Sequence, residues 1–237
     1  MGKAVKPSFK VVAAVLAGGS GSRMGIKTLK QFLSLGKKTI IQTSIQAFKS
    51  SGLVDHIVVA LPRGTLPHYE KEIRSYRFGK FVSVIEGGLT RQESSYSTLQ
   101  YIEKLGGTEI VLIHDAARPF VTKVMIEQSI ELARRHGASE VAAPSVDTLI
   151  ESDGTFIRSI LDRSRIFRVQ TPQTFQFNLI LKAHQKALSE NCFSATDDAQ
   201  LILKMGRKVA LVEGSQENLK ITTPVDYEVA KRMKIKN

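Results

Sequence analysis

Residues 16–25 read Leu-Ala-Gly-Gly-Ser-Gly-Ser-Arg-Met-Gly and follow an apolar run at 11–16. The run is short, continuous and rich in β-branched residues, which predicts a buried strand. Backbone N–H groups of the glycine turn behind it can approach an anion, because glycine accepts positive φ angles and has no side chain in the way. Arg23 and Lys30 add two positive charges beside the turn. The stretch therefore predicts a strand that leads into a phosphate-binding loop.

The loop matches neither of two common phosphate-binding motifs. The G-x-G-x-x-G motif needs a third glycine three positions after Gly21, where Met24 stands. The Walker A motif ends in Gly-Lys-Ser/Thr, whereas Gly-Ile-Lys-Thr at 25–28 and Gly-Lys-Lys-Thr at 36–39 each carry one residue too many. Two interpretations stay open: a triphosphate loop of another kind, or an ordinary strand-to-helix turn.

Alternating apolar and amphipathic segments predict an α/β fold with a mostly parallel sheet. The predicted strands lie at 11–16, 57–61, 81–85, 110–113, 141–143 and 209–212, and the predicted helices near 40–49, 66–76, 92–105, 123–135, 177–189, 197–205 and 224–233. In the fourth helix, Ile126, Ile130 and Ala133 share one face. Thr122 is placed to cap its start and Gly137 its end. With 42% hydrophobic residues, the chain can bury a full core, so we expect a single domain over residues 1–237.

Residues 145–170 depart from this alternation and predict a projecting β-hairpin. Apolar and polar residues alternate on both sides of the turn signal Ser152-Asp153-Gly154. Because an isolated two-stranded hairpin is marginally stable in water, its exposed face needs a partner. The simplest partner is a second copy of the chain. We therefore expect residues 145–170 to form the dimerisation arm of a homodimer.

Composition predicts a cytoplasmic protein without a membrane partner. No apolar run approaches the roughly 20 residues that span a bilayer. The N-terminal sequence lacks the apolar region of a secretory signal. Cys192 is the single cysteine, which fits a reducing compartment.

The formal net charge of +12 raises nucleic acid as a partner. Residues 1–10 and 231–237 contribute +7 of this charge and contain no acid. No basic stretch is interleaved with aromatic residues, and the chain has no Trp to stack on bases. We therefore expect no nucleic-acid partner.

Polar residues follow several predicted strands, at the edge where open α/β sheets bind ligands. Asp115 could hold Mg²⁺ beside substrate phosphates, or it could pair with Arg118 or cap the next helix. The glycines and hydroxyls of residues 87–95, with Arg91 at the predicted helix start, could bind a nucleoside, or they could form a turn and a helix cap. Residues 196–198 could cap a helix, and Lys220 could be a solvated side chain.

The catalytic inventory consists of cations, backbone donors and an acid. The five histidines show no i,i+4 pair and no neighbouring cysteine, which argues against a zinc site. His114 is expected to be a hydrogen-bonded structural residue, and Cys192 has no adjacent base. No serine lies in a G-x-S-x-G motif. Such an inventory is typical of phosphoryl or nucleotidyl transfer, in which positioning and charge stabilisation provide most of the catalysis.

Taken together, the motifs resemble the 2-C-methyl-D-erythritol 4-phosphate cytidylyltransferase family. The matching segments are 16–25 with Lys30-Gln31-Phe32, Gly87-Gly88 with Arg91-Gln92 and Ser94, 114–119 (His-Asp-Ala-Ala-Arg-Pro), Val146-Asp147-Thr148, Gln170-Thr171-Pro172-Gln173, Thr196-Asp197-Asp198 and 218–224. They follow the family's order along the chain. The resemblance implies a Rossmann-like, three-layer nucleotide-diphospho-sugar transferase fold. It also implies transfer of a cytidylyl group from CTP to 2-C-methyl-D-erythritol 4-phosphate, with release of pyrophosphate, in the non-mevalonate isoprenoid pathway.

The resemblance also implies a role for each matching residue. The nucleotide-binding residues would be Ala17, Gly18, Gly19, Gly21, Gly88 and Ser94, and the catalytic cations would be Arg23, Lys30 and Lys220. Substrate contacts would come from Asp115, Arg118, Thr171 and Thr196, and from Arg163 reaching into the neighbouring subunit. Asp115 would also sit at Mg²⁺ or another divalent cation.

Departures from the family pattern and rival functions complete the expectations. Leu29 replaces the usual proline before the catalytic lysine, and Leu89 replaces a common acidic or polar residue. The Ala-Gly-Gly start of the loop also occurs in ribitol-5-phosphate cytidylyltransferases, which are the alternative within this class. A nucleotide-binding regulator without catalysis and a basic nucleic-acid binder are the alternatives from other classes.

Overall fold

The computed structural model describes residues 7–19, 28–78, 82–192 and 195–233. The predicted site residues Gly21 and Arg23 lie outside these ranges. The strands are β1 (Phe9–Leu16), β2 (Ser34–Leu35), β3 (Lys38–Thr39), β4 (His56–Leu61), β5 (Val82–Glu86), β6 (Thr108–Asp115), β7 (Ala138–Pro144), β8 (Ile150–Ser152), β9 (Ile157–Ile160), β10 (Phe167–Gln176) and β11 (Ala210–Glu213). The helices are α1 (Ile40–Ser50), α2 (Leu66–Ser75), α3 (Arg91–Lys104), α4 (Lys123–His136), α5 (Phe177–Ser189), α6 (Ala199–Lys204) and α7 (Pro224–Arg232).

A seven-stranded sheet with the order β11-β7-β10-β6-β1-β4-β5 forms the centre of the molecule. Its strands run parallel except β10, which is antiparallel to both β6 and β7. The expected α/β fold with a mostly parallel sheet is therefore confirmed. The sequence analysis missed β10, because Pro172 interrupts its apolar pattern and proline lacks the N–H that a central strand donates. The pairing with β7 accommodates this by a register shift between Val169 and Gln173.

Two hydrophobic layers cover the two faces of the sheet. Alternate residues of β1 divide between them: Val11, Ala13 and Val15 pack with α1, α2 and α4, whereas Val12, Ala14 and Leu16 pack with α3, α5 and α6. This alternation follows from the period of two of a strand, and a strand buried on both sides reads as a continuous apolar run. The expected three-layer arrangement is confirmed.

The predicted helix ends agree with the structure at α4. The Thr122 side chain accepts a hydrogen bond from the Met125 N–H, and Gly137 ends the helix at φ 91°. Ile126, Ile130 and Ala133 are buried on the face that was predicted. Among the described residues, no helix combines the length and the apolar character that crossing a membrane requires.

The predicted hairpin is present as β8 and β9, which pair antiparallel with Ile150 opposite Ile160. Gly154 turns the chain at φ 101°, a conformation that favours glycine. Phe156, Ile157 and Ile160 are 72%, 64% and 70% exposed, so the hairpin carries an apolar surface. Its role in dimerisation stays a prediction.

Candidate active site

The carboxyl ends of β1 and β6 lie side by side and form the floor of a pocket. Leu16 pairs with Asp115 in the parallel register, and the Ala116 N–H donates to the Leu16 carbonyl at 2.9 Å. The pocket encloses about 200 Å³. It is lined by Leu16, Ala17, Gly18, Gly19, Lys30, Gln31, Leu89, Thr90, Arg91, Ser94, Asp115, Ala116, Ala117 and Lys220. The predicted residues Ala17, Gly18, Gly19, Lys30, Ser94, Asp115 and Lys220 are thus brought together.

The first wall of the pocket is the glycine loop with a buried lysine against it. Lys30 lies in a short 3₁₀ helix (Lys30–Phe32) and is 8% exposed. A Cβ atom on Gly19 would lie 3.4 Å from Lys30 Cε and 3.9 Å from its Nζ, so the amine stands directly over the loop. Gln31 fixes the loop, since its Nε2 donates to the carbonyls of Ala17 and Gly19. The glycine loop and a cation therefore line the same space.

The second wall is the turn between β5 and α3. The Ser94 hydroxyl accepts from the Gly88 N–H at 3.1 Å and donates to the Thr90 carbonyl at 2.9 Å. A Cβ atom on Gly18 would lie 3.3 Å from Ser94 Oγ, so the two glycine turns approach each other across this serine. Thr90 caps α3 by accepting from the Glu93 N–H at 3.1 Å. The capping alternative is therefore correct for Thr90, although Thr90 and Ser94 both line the pocket.

Asp115 is the carboxylate of the pocket, and it stands between two cations. Its Oδ2 lies 2.6 Å from Lys220 Nζ, and its Oδ1 lies 3.5 Å from Arg91 Nε. Burial by itself raises the pKa of Asp115, but the charges of Arg91, Lys220 and Arg118 outweigh it and hold this pKa well below its usual range. Asp115 is therefore ionised at neutral pH, and the alternative in which it pairs mainly with Arg118 does not describe its contacts.

His114 and Thr171 support Asp115 from behind. The Thr171 hydroxyl accepts from the Asp115 N–H at 3.2 Å and bonds to His114 Nδ1 at 2.9 Å, while His114 Nε2 lies 3.1 Å from the Arg118 carbonyl. Burial lowers the pKa of His114 to about 4, so the ring is neutral at pH 7. The expected structural, hydrogen-bonded role of His114 is confirmed. Thr171 is buried, and within the described residues it is not among those that line the pocket.

Arg118 lies beside the pocket and joins two chain segments. Its Nη1 donates to the Asn218 carbonyl at 2.8 Å, and its Nη2 donates to the Val169 carbonyl at 3.1 Å. Asn218 precedes Lys220 by two residues, and Val169 lies in β10 where that strand leaves the hairpin. Arg118 therefore ties the Lys220 loop to the base of the arm. Its predicted contact with substrate stays a prediction.

The remaining predicted substrate residues lie outside the described lining of the pocket. Thr196 is exposed in the turn before α6, and Arg163 is exposed in the 3₁₀ helix Arg163–Arg165 that follows the hairpin. Gly88 lies one residue from the lining residue Leu89. The predicted substrate roles of Thr196 and Arg163 stay predictions.

Three residues organise the pocket in ways that sequence reasoning did not predict: Gln31, Arg91 and Asp198. Arg91 was expected at most to contact a nucleoside, and Asp198 to cap a helix. Arg91 is the first residue of α3, and a positive charge is unfavourable at a helix N-terminus. This unfavourable charge is the one sequence feature that could have indicated that the Arg91 guanidinium pairs with carboxylates outside its own helix. Asp198 precedes α6 but makes no side-chain cap, because its carboxylate bonds to Arg91, Ser95 and His184. From its position before α6, Asp198 is expected to cap that helix, so the sequence gives no indication of its ion pair with Arg91.

The donor set fits a divalent cation that is shared with a bound nucleotide. Asp115 supplies hard oxygen donors, but the described part of the chain contains no group of three or more His, Cys, Asp or Glu side chains that could hold a metal ion. Mg²⁺ commonly binds one or two carboxylates together with substrate phosphates and waters. The residues present therefore suit such a shared ion and do not build a metal site from protein groups alone.

A family model and individual relatives match nearly the whole chain. The model of 2-C-methyl-D-erythritol 4-phosphate cytidylyltransferase matches residues 11–234. A relative of that name from Bacillus mycoides is 40% identical over 214 residues, which cover 90% of this chain and 93% of the relative. Another from Clostridium perfringens is 39% identical over 222 residues, which cover 93% of this chain and 97% of the relative.

Solved structures show the same fold. A 4-diphosphocytidyl-2C-methyl-D-erythritol synthase from Anaerococcus prevotii superposes with a TM-score of 0.81 at 27% identity, covering 94% of this chain and 95% of the other. A 2-C-methyl-D-erythritol 4-phosphate cytidylyltransferase from Thermus thermophilus gives a TM-score of 0.75 at 32% identity, covering 92% and 96%. The resemblance drawn from the sequence motifs is therefore confirmed.

Proposed function

The chain belongs to the 2-C-methyl-D-erythritol 4-phosphate cytidylyltransferase family, and from this premise we propose how its pocket transfers the cytidylyl group of CTP to methylerythritol phosphate. A phosphate oxygen of methylerythritol phosphate attacks the α-phosphorus of CTP and forms a new P–O bond. The bond from the α-phosphorus to the bridging oxygen breaks, and pyrophosphate leaves with that electron pair. The product enters isoprenoid precursor synthesis by the non-mevalonate route. The observation that carries this proposal is that the glycine loop, Lys30, Asp115 and Lys220 line the same pocket.

The glycine loop and the turn at Ser94 bind the nucleotide. Backbone N–H groups of Gly18 and Gly19, with that of Gly21 and the charge of Arg23 from the adjoining segment, receive the triphosphate. Ala17 lines the nucleotide pocket, but its own N–H already donates to the Ala60 carbonyl at 2.8 Å. Gly88 and Ser94 receive the nucleoside. Lys30 stands over Gly19 and stabilises the negative charge that builds on the α-phosphate oxygens as the bond to pyrophosphate breaks. Because Lys30 is already buried beside the loop, little reorganisation should accompany this stabilisation.

Asp115 and Lys220 bind the second substrate. Lys220 is 39% exposed at the pocket and offers its ammonium group to the phosphate of methylerythritol phosphate. Thr171 and Arg118 hold Asp115 and the Lys220 loop in position through their hydrogen bonds. Thr196 would contact the polyol part of the second substrate. In-line attack requires that the two phosphates meet between Lys30 and Lys220, both of which line the pocket.

Mg²⁺ is the proposed cofactor, with Asp115 as the residue that would hold it. The ion supplies charge neutralisation at the triphosphate when it is bound. Since Lys220 and Arg91 already occupy both oxygens of Asp115, Mg²⁺ should bind together with CTP. This expectation agrees with the small number of carboxylates in the described part of the pocket.

A homodimer formed through residues 145–170 is the proposed active form. The apolar surface of Phe156, Ile157 and Ile160 supports this assembly, because large exposed apolar patches mark interaction surfaces. Arg163 follows this surface along the chain and would reach the pocket of the neighbouring subunit. The single cysteine supports the cytoplasm as the proposed location.

Family membership disfavours the rival functions. The matching model and relatives are methylerythritol phosphate enzymes, which favours this substrate over ribitol 5-phosphate. Lys30, Asp115 and Lys220 are all present in one pocket, which disfavours a regulator that has lost catalysis. The pocket contains no aromatic ring among its described lining residues, which disfavours stacking of nucleic-acid bases.

Pyrophosphate release tests the proposal. The purified chain is incubated with CTP, Mg²⁺ and either methylerythritol phosphate or ribitol 5-phosphate. We expect release with the first substrate and little with the second. Release with ribitol 5-phosphate alone would move the protein to the sister activity, and no release with either, together with intact CTP binding, would support the regulator.

A further inference from the structure

Arg91 connects the pocket to a buried polar cluster behind it. Its Nε lies 3.5 Å from Asp115 Oδ1, its Nη1 donates to Asp198 Oδ2 at 2.7 Å, and its Nη2 donates to Gln173 Oε1 at 2.9 Å. The three nitrogens thus face three different acceptors. A planar guanidinium can make such a set of contacts, whereas the compact ammonium of lysine cannot reproduce it.

The far side of this contact is rigidly held. Asp198 is 1% exposed at its side chain, and its Oδ1 accepts from Ser95 Oγ at 2.7 Å and from His184 Nε2 at 2.8 Å. Gln173 is fully buried, and its Oε1 also accepts from the Asp198 N–H at 3.1 Å. Arg91 is therefore held by α3, by β10 and by the start of α6 at the same time.

The second cation on Asp115 is held differently. Lys220 is 39% exposed at its side chain, against 23% for Arg91, and lies on the loop after β11. Its Nζ approaches Asp115 Oδ2 at 2.6 Å. A phosphate that enters the pocket competes with Asp115 for this ammonium. Of the two cations, Lys220 is the one that can turn toward a ligand, because Arg91 would have to give up Asp198 and Gln173 as well.

We propose that Arg91 is a positioning residue for the second substrate: it keeps Asp115 paired while Lys220 leaves Asp115 for the substrate phosphate. A buried carboxylate that loses one partner is strongly destabilised unless another partner remains. Arg91 supplies such a partner at Oδ1, so the release of Lys220 does not depend on the divalent cation that Asp115 would also hold. This inference rests on the proposed function, because it assumes that the second substrate carries a phosphate to Lys220.

Four variants separate positioning from a purely structural ion pair. Arg91→Gln removes the contact with Asp115 but also leaves Asp198 without its cation. The double variant Arg91→Gln/Asp198→Asn restores the charge balance of the buried cluster and still lacks the partner of Asp115. Arg91→Lys keeps the charge with fewer contacts. Lys104→Gln, an exposed lysine in the last turn of the same helix, is the matched control.

The measurements are KM and kcat for methylerythritol phosphate, the Kd for CTP by calorimetry, and the circular dichroism spectrum of each variant. We expect Arg91→Gln and the double variant to raise the KM for methylerythritol phosphate by about tenfold or more, with the Kd for CTP changed by less than about threefold. Arg91→Lys should fall between them and the wild type, and Lys104→Gln should match the wild type.

Three outcomes overturn the inference. The first is an unchanged KM for methylerythritol phosphate in a folded Arg91→Gln protein. The second is a rise in the Kd for CTP as large as the rise in the KM for methylerythritol phosphate. A double variant that recovers the wild-type KM would show that Arg91 serves the buried cluster alone, and this variant decides the matter if Arg91→Gln does not fold. Wild-type protein that binds CTP but does not turn over methylerythritol phosphate would instead overturn the proposed function, and this inference with it.

Discussion

Lys220 Nζ lies 2.6 Å from Asp115 Oδ2, so the cation that we assign to the second substrate is held by a carboxylate. The pair joins two distant segments: Asp115 ends β6, and Lys220 follows the last strand of the chain. The pairing favours the ionised form of Asp115 and places Lys220 at the pocket.

Lys220→Met should weaken the use of methylerythritol phosphate. We expect kcat/KM for this substrate to fall roughly ten- to a hundredfold, the effect of losing a hydrogen bond to a charged group, while the affinity for CTP changes little. Steady-state kinetics with each substrate varied in turn measures both values. Lys208→Met, at an exposed lysine before β11, is the control. A variant that loses CTP affinity to the same extent would contradict the assignment of Lys220 to the second substrate.

Lys30→Ala should lower kcat far more than it lowers the affinity for CTP. The amine stands over Gly19, where we place the charge that grows in the transition state, and an interaction made mainly there affects turnover more than binding. Arg23→Ala should behave in the same way. Single-turnover rates and CTP calorimetry provide the comparison, with exposed Lys37→Ala as the control. Parallel losses of rate and affinity would assign both residues to ground-state binding.

Gly88→Ala should disrupt nucleotide binding, because a Cβ atom at this position would lie 2.1 Å from Glu93 Cβ and 2.9 Å from the Glu93 backbone carbon. The turn between β5 and α3 would have to move, and Ser94 with it. Among the described residues, the new Cβ atom of Gly18→Ala would meet Ser94 Oγ alone, at 3.3 Å, so this variant should be milder. CTP titration of both variants measures the difference. Equal affinities would show that the turn does not shape the nucleotide pocket.

The sequence predicted the parallel part of the fold because each element carried its own periodicity. The continuous apolar run at 11–16 predicts a buried strand, and the spacing of Ile126, Ile130 and Ala133 predicts a helix with one buried face. β10 carries no such signal, since Pro172 and several polar residues lie in a strand that is central to the sheet. Its position depends on β6 and β7, which are distant in sequence.

The sequence predicted those pocket residues that follow a strand end or belong to a family motif. Gly18, Gly19, Lys30, Ser94, Asp115 and Lys220 were expected to act together, and they line one pocket. The contact of Arg91 with Asp115 was not predictable, because Arg91 is held by Asp198, and these two residues meet only when α3 and α6 pack on the same face of the sheet. Charge pairing across 107 positions leaves no periodic pattern in a single sequence.

Phe156→Asp combined with Ile160→Asp should convert the proposed dimer into monomers. Both side chains are about 70% exposed on the hairpin, and carboxylates there would be buried without partners on association. Light scattering at micromolar concentration measures the mass, and turnover should fall with dissociation if Arg163 serves the neighbouring subunit. Leu203→Asp, at a 58% exposed position on α6, is the control. A fully active monomer would contradict both proposals: that the hairpin forms the dimer and that Arg163 serves the pocket of the neighbouring subunit.

Glu140→Gln should make the protein more stable than the wild type at alkaline pH. Burial raises the pKa of Glu140 from its usual 4.5 to about 7, even though the hydrogen bond from Gln173 Nε2 acts in the opposite direction. As the pH rises through this interval, the unfolded chain releases the proton first, so the free energy of unfolding falls. Glutamine stays neutral and escapes that loss. Urea denaturation at about pH 5 and about pH 8 should therefore show a stability difference in favour of the variant that grows with pH, whereas Glu213→Gln at an exposed site on β11 should show none. A difference that is the same at both pH values would mean that folding does not raise the pKa of Glu140.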